Sequence, residues 1–251
     1  MERALFATEP DSLPAGDWTH LYFGSEFCPW TFPDKKAILR AVDSARSHRL
    51  TFCLVTPVVS EPFIPRLRDT LETIIPKLSG QDEIIASDLG TFKLVRQLST
   101  EVTLVAGRTL SGQKRGPRIL DLNLNADEDD YFRRGTWYQQ EAVAFLREFG
   151  ITRVELDNLL QGIASLPGGL AGSLHIPWAM VTSSRNCPVR EAGITGPCPG
   201  GCGAVMRLST PQTRIDLFQT GNTQFLENGT LPENLPSLGI DRVVEHRVLP
   251  R

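Results

Sequence analysis

Thr51-Phe-Cys-Leu-Val-Thr-Pro-Val-Val59, Pro65-Arg-Leu-Arg-Asp-Thr-Leu-Glu-Thr-Ile-Ile-Pro-Lys-Leu78 and Glu83-Ile-Ile-Ala-Ser87 follow one another closely, and their alternation decides the fold. The outer pieces are short, apolar and rich in β-branched residues, as buried strands are. The middle piece places Leu67, Leu71, Ile74, Ile75 and Leu78 at helical spacing after a leading proline. Strand, helix, strand in this order implies parallel strands joined by a right-handed crossover.

The same alternation extends in both directions. Upstream, Leu21–Phe23 reads as a strand and Pro33–Ser47, with Ile38, Leu39 and Val42, as a helix. Downstream, Leu89–Leu98 and Trp137–Phe149 read as helices, Thr103–Ala106 and Arg153–Leu156 as strands. The last third is less regular, with strands expected at Ser173–Val181, Ala204–Ser209, Ile215–Phe218, Thr223–Leu226 and Ile240–Glu245. About eight strands with interleaved helices predict an α/β protein, a single (β/α) TIM-like barrel of irregular form. One domain over residues 1–251 is expected, since no linker, repeat or low-complexity tract interrupts the chain. No Gly-x-Gly-x-x-Gly or Walker-type loop follows any strand, which removes the main support for a nucleotide-binding sheet.

Composition narrows the function classes. With 41% hydrophobic residues the chain has ample material for a core, and a formal net charge of −3 gives no general attraction to phosphate backbones. One local basic run, Gly107-Arg108-Thr-Leu-Ser-Gly-Gln-Lys114-Arg115-Gly-Pro-Arg118, is soon offset by Asp127-Glu-Asp-Asp130, so RNA is not an expected partner. No apolar run approaches the roughly 20 residues that cross a bilayer, and no secretory leader opens the sequence; no membrane insertion and a cytoplasmic location are expected. In a reducing compartment, five cysteines point to metal binding rather than to disulfides.

Three of those cysteines share one Gly/Pro-rich connection, Arg185-Asn-Cys187-Pro-Val-Arg-Glu-Ala-Gly-Ile-Thr-Gly-Pro-Cys198-Pro-Gly-Gly-Cys202-Gly203. Thiolates hold soft metals and iron–sulfur clusters, and an irregular loop can turn several sulfurs toward one point. A fourth ligand must come from elsewhere. Cys53 lies inside an apolar strand, where a lone thiol behaves as a small hydrophobe. Cys28 follows a strand's C-terminal end, where α/β proteins place ligands, so Cys28, Cys187, Cys198 and Cys202 form the expected quartet.

Tyr22-Phe-Gly-Ser-Glu-Phe-Cys28, Ala86-Ser-Asp88-Leu-Gly90, His175-Ile-Pro-Trp-Ala-Met-Val-Thr-Ser-Ser-Arg185-Asn-Cys187 and Gly221-Asn222-Thr-Gln224, in this order, resemble the collagenase-like peptidase family U32. The early cysteine with three late ones is most similar to the UbiV-type members, which act with a UbiU-type relative in oxygen-independent ubiquinone biosynthesis. The resemblance implies a barrel-like fold and a [4Fe–4S] cluster on the four cysteines. It also implies a homologous partner subunit and oxygen-independent hydroxylation of an aromatic ring, with prephenate as the suggested oxygen source. A peptidase reading finds no support in the residues, because no cysteine or serine stands beside an evident base and carboxylate.

Zinc is the alternative for the same sulfurs, but zinc ribbons pair closely spaced knuckles, whereas Cys28 is separated from the other three by most of the chain. A structural or electron-transferring role for the metal stays open beside a catalytic one. Gly200, Gly201 and Gly203 offer backbone N–H groups to cluster sulfurs. Arg185 suits an anionic substrate, or an ordinary ion pair. Asp88 is a candidate base at a strand end, or the cap of the helix starting at Leu89. His175 is a candidate catalyst, or a satisfied core histidine. Asn222 and Gln224 belong to the same mouth or to a plain turn. Phe27, Trp30 and Trp178 stack on an aromatic substrate, shield the cluster, or fill core.

Overall fold

The computed structural model describes residues 1–191 and 197–250. Eight parallel strands close into a barrel: β1 (Glu2–Phe6), β2 (His20–Gly24), β3 (Thr51–Thr56), β4 (Glu83–Ala86), β5 (Thr103–Ala106), β6 (Arg153–Asp157), β7 (Ala171–Ile176) and β12 (Ile240–His246). Among the described residues no helix joins β1 to β2; helices α1 (Lys35–Ser47), α2 (Ile64–Ile74) and α3 (Leu89–Leu98) form the next three crossovers, from β2 to β5, and α4 (Ala126–Arg133) with α5 (Gln140–Glu148) lies between β5 and β6. The TIM-like α/β barrel expected from the strand–helix alternation is present. Its last third departs from the repeat: between β7 and β12 the chain builds an antiparallel sheet from β8 (Trp178–Ser183), β9 (Met206–Leu208), β10 (Leu217–Thr220) and β11 (Thr223–Glu227), ordered β8-β11-β10-β9. Among the described residues no helix is long and apolar enough to cross a membrane.

The expected number of strands is right for the wrong reason. β1 is absent from the sequence reading, because five residues at the chain start carry no turn signal on their upstream side. It pairs in parallel with both β2 and β12 and closes the barrel. The segments at 204–209, 215–218 and 223–226, counted as barrel candidates, are hairpin strands outside it. The expected strand Ser173–Val181 is two strands: proline has no N–H to donate to a ladder, and at Pro177 the chain leaves the barrel for the second sheet. α4 was legible only as an acidic run. With no apolar face, it is held by a capping box between Asn125 and Glu128 and by the pairs Arg133–Asp129 and Arg134–Asp130.

Two cores lie on opposite sides of the barrel wall. Outside, Leu21, Phe52, Leu54, Ile84, Leu104, Val154 and Leu174 face the helices. Inside, Ala4, Tyr22, Cys53, Val55, Ile85, Val105 and Val244 form a thin apolar waist. Below the waist Arg242 donates to both Glu83 oxygens at 2.5 and 3.0 Å, to Glu2 at 2.7 Å, to the Tyr22 hydroxyl at 2.9 Å and to His20 Nε2 at 2.8 Å. Burial, with Arg242 beside it, pushes His20 below its ordinary value, which leaves Nε2 as an acceptor. Cys53 donates to Glu83 at 3.4 Å, and burial with that carboxylate raises its thiol well above the ordinary range. It is an inert interior thiol, as the sequence reading held.

Removing one partner of a buried ion pair leaves the other charge uncompensated. Arg242→Met is expected to lower unfolding free energy by roughly 3–5 kcal/mol through the stranded Glu83 carboxylate. Urea denaturation of the two proteins measures this, and a loss below about 1 kcal/mol would show that the floor is not held by this charge.

Candidate functional site

The site is built on the barrel's C-terminal mouth. β2 ends at Gly24 with φ +144°, and a Cβ there would overlap the Val55 carbonyl, so glycine alone lets the chain turn across the mouth. The turn delivers Ser25-Glu26-Phe27-Cys28. Ser25 and Thr31 hydroxyls both donate to the Cys28 carbonyl at 2.9 Å, shaping the short turn that presents the thiol. Phe27 packs with Met180 of β8 and Phe225 of β11, which seats the small sheet on the barrel mouth. Asn222, in the turn between β10 and β11, donates to the Phe27 carbonyl at 3.1 Å and to the Ser184 carbonyl at 2.8 Å. One amide thus ties the Cys28 loop to the segment that leads into Cys187.

Cys28, Cys187, Cys198 and Cys202 are half-buried and line one cavity of about 540 Å³. Phe27, Trp30 and Met180 supply apolar wall, and Arg185 stands at the rim. Residues 192–196 of the cysteine loop lie outside the described residues. Burial pushes the Cys28 thiol up, against the backbone N–H groups of Trp30 and Thr31, and negative charge on Cys198 or Cys187 would push it further. Among the described residues no three sulfurs lie within 4.8 Å of one another. A tetrahedral zinc with Zn–S bonds near 2.3 Å would draw its thiolates to about 3.8 Å apart. The four thiols share one cavity, and no three of them are drawn to that spacing.

Below this cavity lies a second, charged layer. Arg108 is fully buried and donates to both Glu26 oxygens at 2.8 and 2.6 Å, to Asp157 at 2.9 Å and to the Trp178 carbonyl at 2.8 Å. Arg115 donates to the other Asp157 oxygen at 2.7 Å, and the Met180 N–H donates to Asp157 at 2.9 Å. The basic run singled out in the sequence thus turns inward at Arg108 and Arg115, which are spent on internal carboxylates and are not available to phosphates. Nothing in the local sequence separates them from the remaining surface cations; the closed barrel does. Toward the waist, His175 is bonded through Nε2 to Glu155 at 2.5 Å and through Nδ1 to His246 Nε2 at 2.7 Å, and the Tyr22 hydroxyl donates to Glu155 at 3.0 Å.

The other sequence-derived residues separate by environment. Asp88 caps α3, accepting from the Gly90 N–H at 2.7 Å, and is not on the cysteine cavity. Arg185 makes no ion pair among the described residues, so its guanidinium is exposed at the cavity rim. Gln224 bonds Gln219 across the hairpin at 3.1 Å. Trp30 lines the cavity edge-on to Phe63, while Trp178 packs on Phe218. Of the glycines, Gly201 has no neighbouring residue where a Cβ would be. Glu26, Glu155, Asp157 and His246 were missed, and Arg108 was read only as part of a basic run. The signal available was their place at or just beyond predicted strand ends, with no partner visible in sequence.

No protein-family model matches the chain, and no curated protein matches it. Among solved structures the chain is similar to the U32 peptidase Mk0906, at 12% identity over 100% of this chain and 94% of that one, with a TM-score of 0.48. The barrel is read from its own strand order, and the site from its own residues.

Burial alone would raise the carboxyls of Glu155 and Asp157; bonded His175 holds the first below the ordinary range, and Arg115 with Arg108 holds the second. Burial, with the Arg108 guanidinium nearby, holds His246 well below its ordinary 6.5. A group whose folded value is depressed binds protons more readily when unfolded, so acid favours the unfolded chain. Stability is expected to be complete above about pH 6.5, to fall as the unfolded His246 and His20 take up protons, and to fall again below about pH 4 as unfolded carboxylates do. Thermal midpoints across pH check this: His246→Gln should flatten the first decline, and an unchanged profile in that variant would refute the assignment.

Proposed function

We propose that Cys28, Cys187, Cys198 and Cys202 hold a [4Fe–4S] cluster, and that residues 1–251 act as one unit in oxygen-independent hydroxylation of an aromatic ring. The observation that carries this reading is the convergence of all four cysteines on one cavity although Cys28 is far from the others in sequence. Four thiols are the donor set such clusters take, and the separation of Cys28 from the other three by most of the chain is unlike the paired knuckles of zinc ribbons. Soft sulfur chemistry and a reducing compartment support the same choice.

The bound cluster would supply one-electron chemistry at the cavity wall. The chain's own residues do the rest. Trp30 and Thr31 N–H groups favour the Cys28 thiolate that a metal requires, against a burial that outweighs them in the metal-free site. Phe27, Trp30 and Met180 offer an apolar wall against which a flat ring packs. Arg185 supplies a two-pronged donor for a carboxylate, which suits a carboxylated oxygen donor such as prephenate. A ubiquinone-precursor-like ring and a homologous UbiU-like partner subunit, as in UbiV-type proteins, complete the reading. The cytoplasm suits its redox state.

Anaerobic purification followed by iron, sulfide and zinc analysis tests it. Roughly four irons and four sulfides per chain are expected, with the brown colour and sulfide lost in Cys28→Ser. Zinc without labile sulfide would replace the cluster by a zinc staple. Product formation from a carboxylated donor by the isolated chain would assign the chemistry here; turnover only with a co-purifying homologue would assign this chain electron transfer or support.

A further inference from the structure

Glu26, His175 and His246 come from the loop after β2, from β7 and from the end of β12, and their ligand atoms all lie within 4.8 Å of one another. All three are buried. Two imidazoles and one carboxylate on one face are the donor set of mononuclear transition-metal sites with open positions. The surroundings match that chemistry. His175 directs Nε2 to Glu155 at 2.5 Å, the outer carboxylate that metal-binding histidines commonly have, and this turns its Nδ1 toward His246 Nε2, 2.7 Å away. Two ring nitrogens at that separation share one proton between them.

Charge and access agree. Glu26, Glu155 and Asp157 place three carboxylates at the mouth against two guanidiniums, Arg108 and Arg115, while Arg242 is paired with Glu83 and Glu2 on the floor. One buried negative charge is left for a proton or a cation to neutralise. Both Glu26 oxygens accept from Arg108, yet each carboxylate oxygen has a second lone pair. Glu26 and His246 also line a second cavity, of about 290 Å³, walled by Phe6 and Phe23 and touching Gly200 and Cys202. That cavity supplies an entry path and room for exchangeable ligands.

We infer that Glu26, His175 and His246 form a mononuclear site for a divalent first-row transition metal, open to the cavity beside Cys202. The ion takes the place of the proton between the two imidazoles, which leaves to solvent, and Glu155 holds His175 in register as a positioning residue. The site uses no cysteine, so it stands apart from the cluster reading.

Co²⁺ titration of the metal-free, full-length Cys28→Ser/Cys187→Ser/Cys198→Ser/Cys202→Ser protein tests this without competition from the cavity thiolates. One Co²⁺ per chain with weak visible bands and no sulfur charge-transfer band is expected. Binding should be lost in Glu26→Gln and weakened about 10–100-fold in Glu155→Gln, the range for outer partners of metal ligands. No binding, or equal binding in Glu26→Gln, would overturn the site. As a check that needs no substitution, Zn²⁺ added to the unaltered protein should shift the imidazole ¹⁵N resonances of two of its four histidines; four unmoved histidines would likewise overturn it.

Discussion

The Arg108 guanidinium, fully buried at the barrel mouth, places everything above it. It can stay there only with its charge answered and its donors used. Glu26 and Asp157 answer the charge, and the Trp178 carbonyl takes a further donor. Those partners belong to the parts of the chain that matter most: Glu26 is two residues from Cys28, Asp157 ends β6, and Trp178 begins β8, the strand that runs on toward Cys187. A cation with fixed fork geometry thereby sets the distance between two cysteine-bearing segments that are remote in sequence.

The barrel interior is correspondingly unusual in its layering. A thin apolar waist is crossed by a hydrogen-bonded line from Arg242 through Tyr22, Glu155 and His175 to His246. Each group in that line is satisfied by the next, the condition under which buried polar networks specify one arrangement rather than destabilise it. The line ends beneath two cavities that meet at Gly200 and Cys202. Thiol donors and imidazole donors are thus held on neighbouring walls, within one rigid frame.

The small antiparallel sheet explains why the mouth is enclosed. It occupies the place of a crossover helix and lies over the barrel through Phe27, Met180 and Phe225. Asn222 fixes its turn to the Cys28 loop from above, while Arg108 fixes its first strand from below. The cysteine loop hangs from this sheet rather than from a barrel strand. Cys28, after the barrel's second strand, and the cysteine loop of the inserted sheet therefore face one cavity.

From the chain alone the parallel architecture was legible, because apolar runs and helical spacing are local signals that tertiary contacts did not override in β3 to β6. The inert character of Cys53 and the cysteine-rich loop were legible for the same reason: both are contained in a few neighbouring residues. Barrel closure by β1, the exit of the chain at Pro177 and the capped acidic helix α4 were not, since pairing partners, a missing donor and a cap act without an apolar pattern. The charged mouth was least legible of all. Arg108, Glu26, Asp157, Glu155 and His246 look like ordinary surface residues until the barrel brings strand ends together, and only that closure decides which charges are buried and with whom they pair.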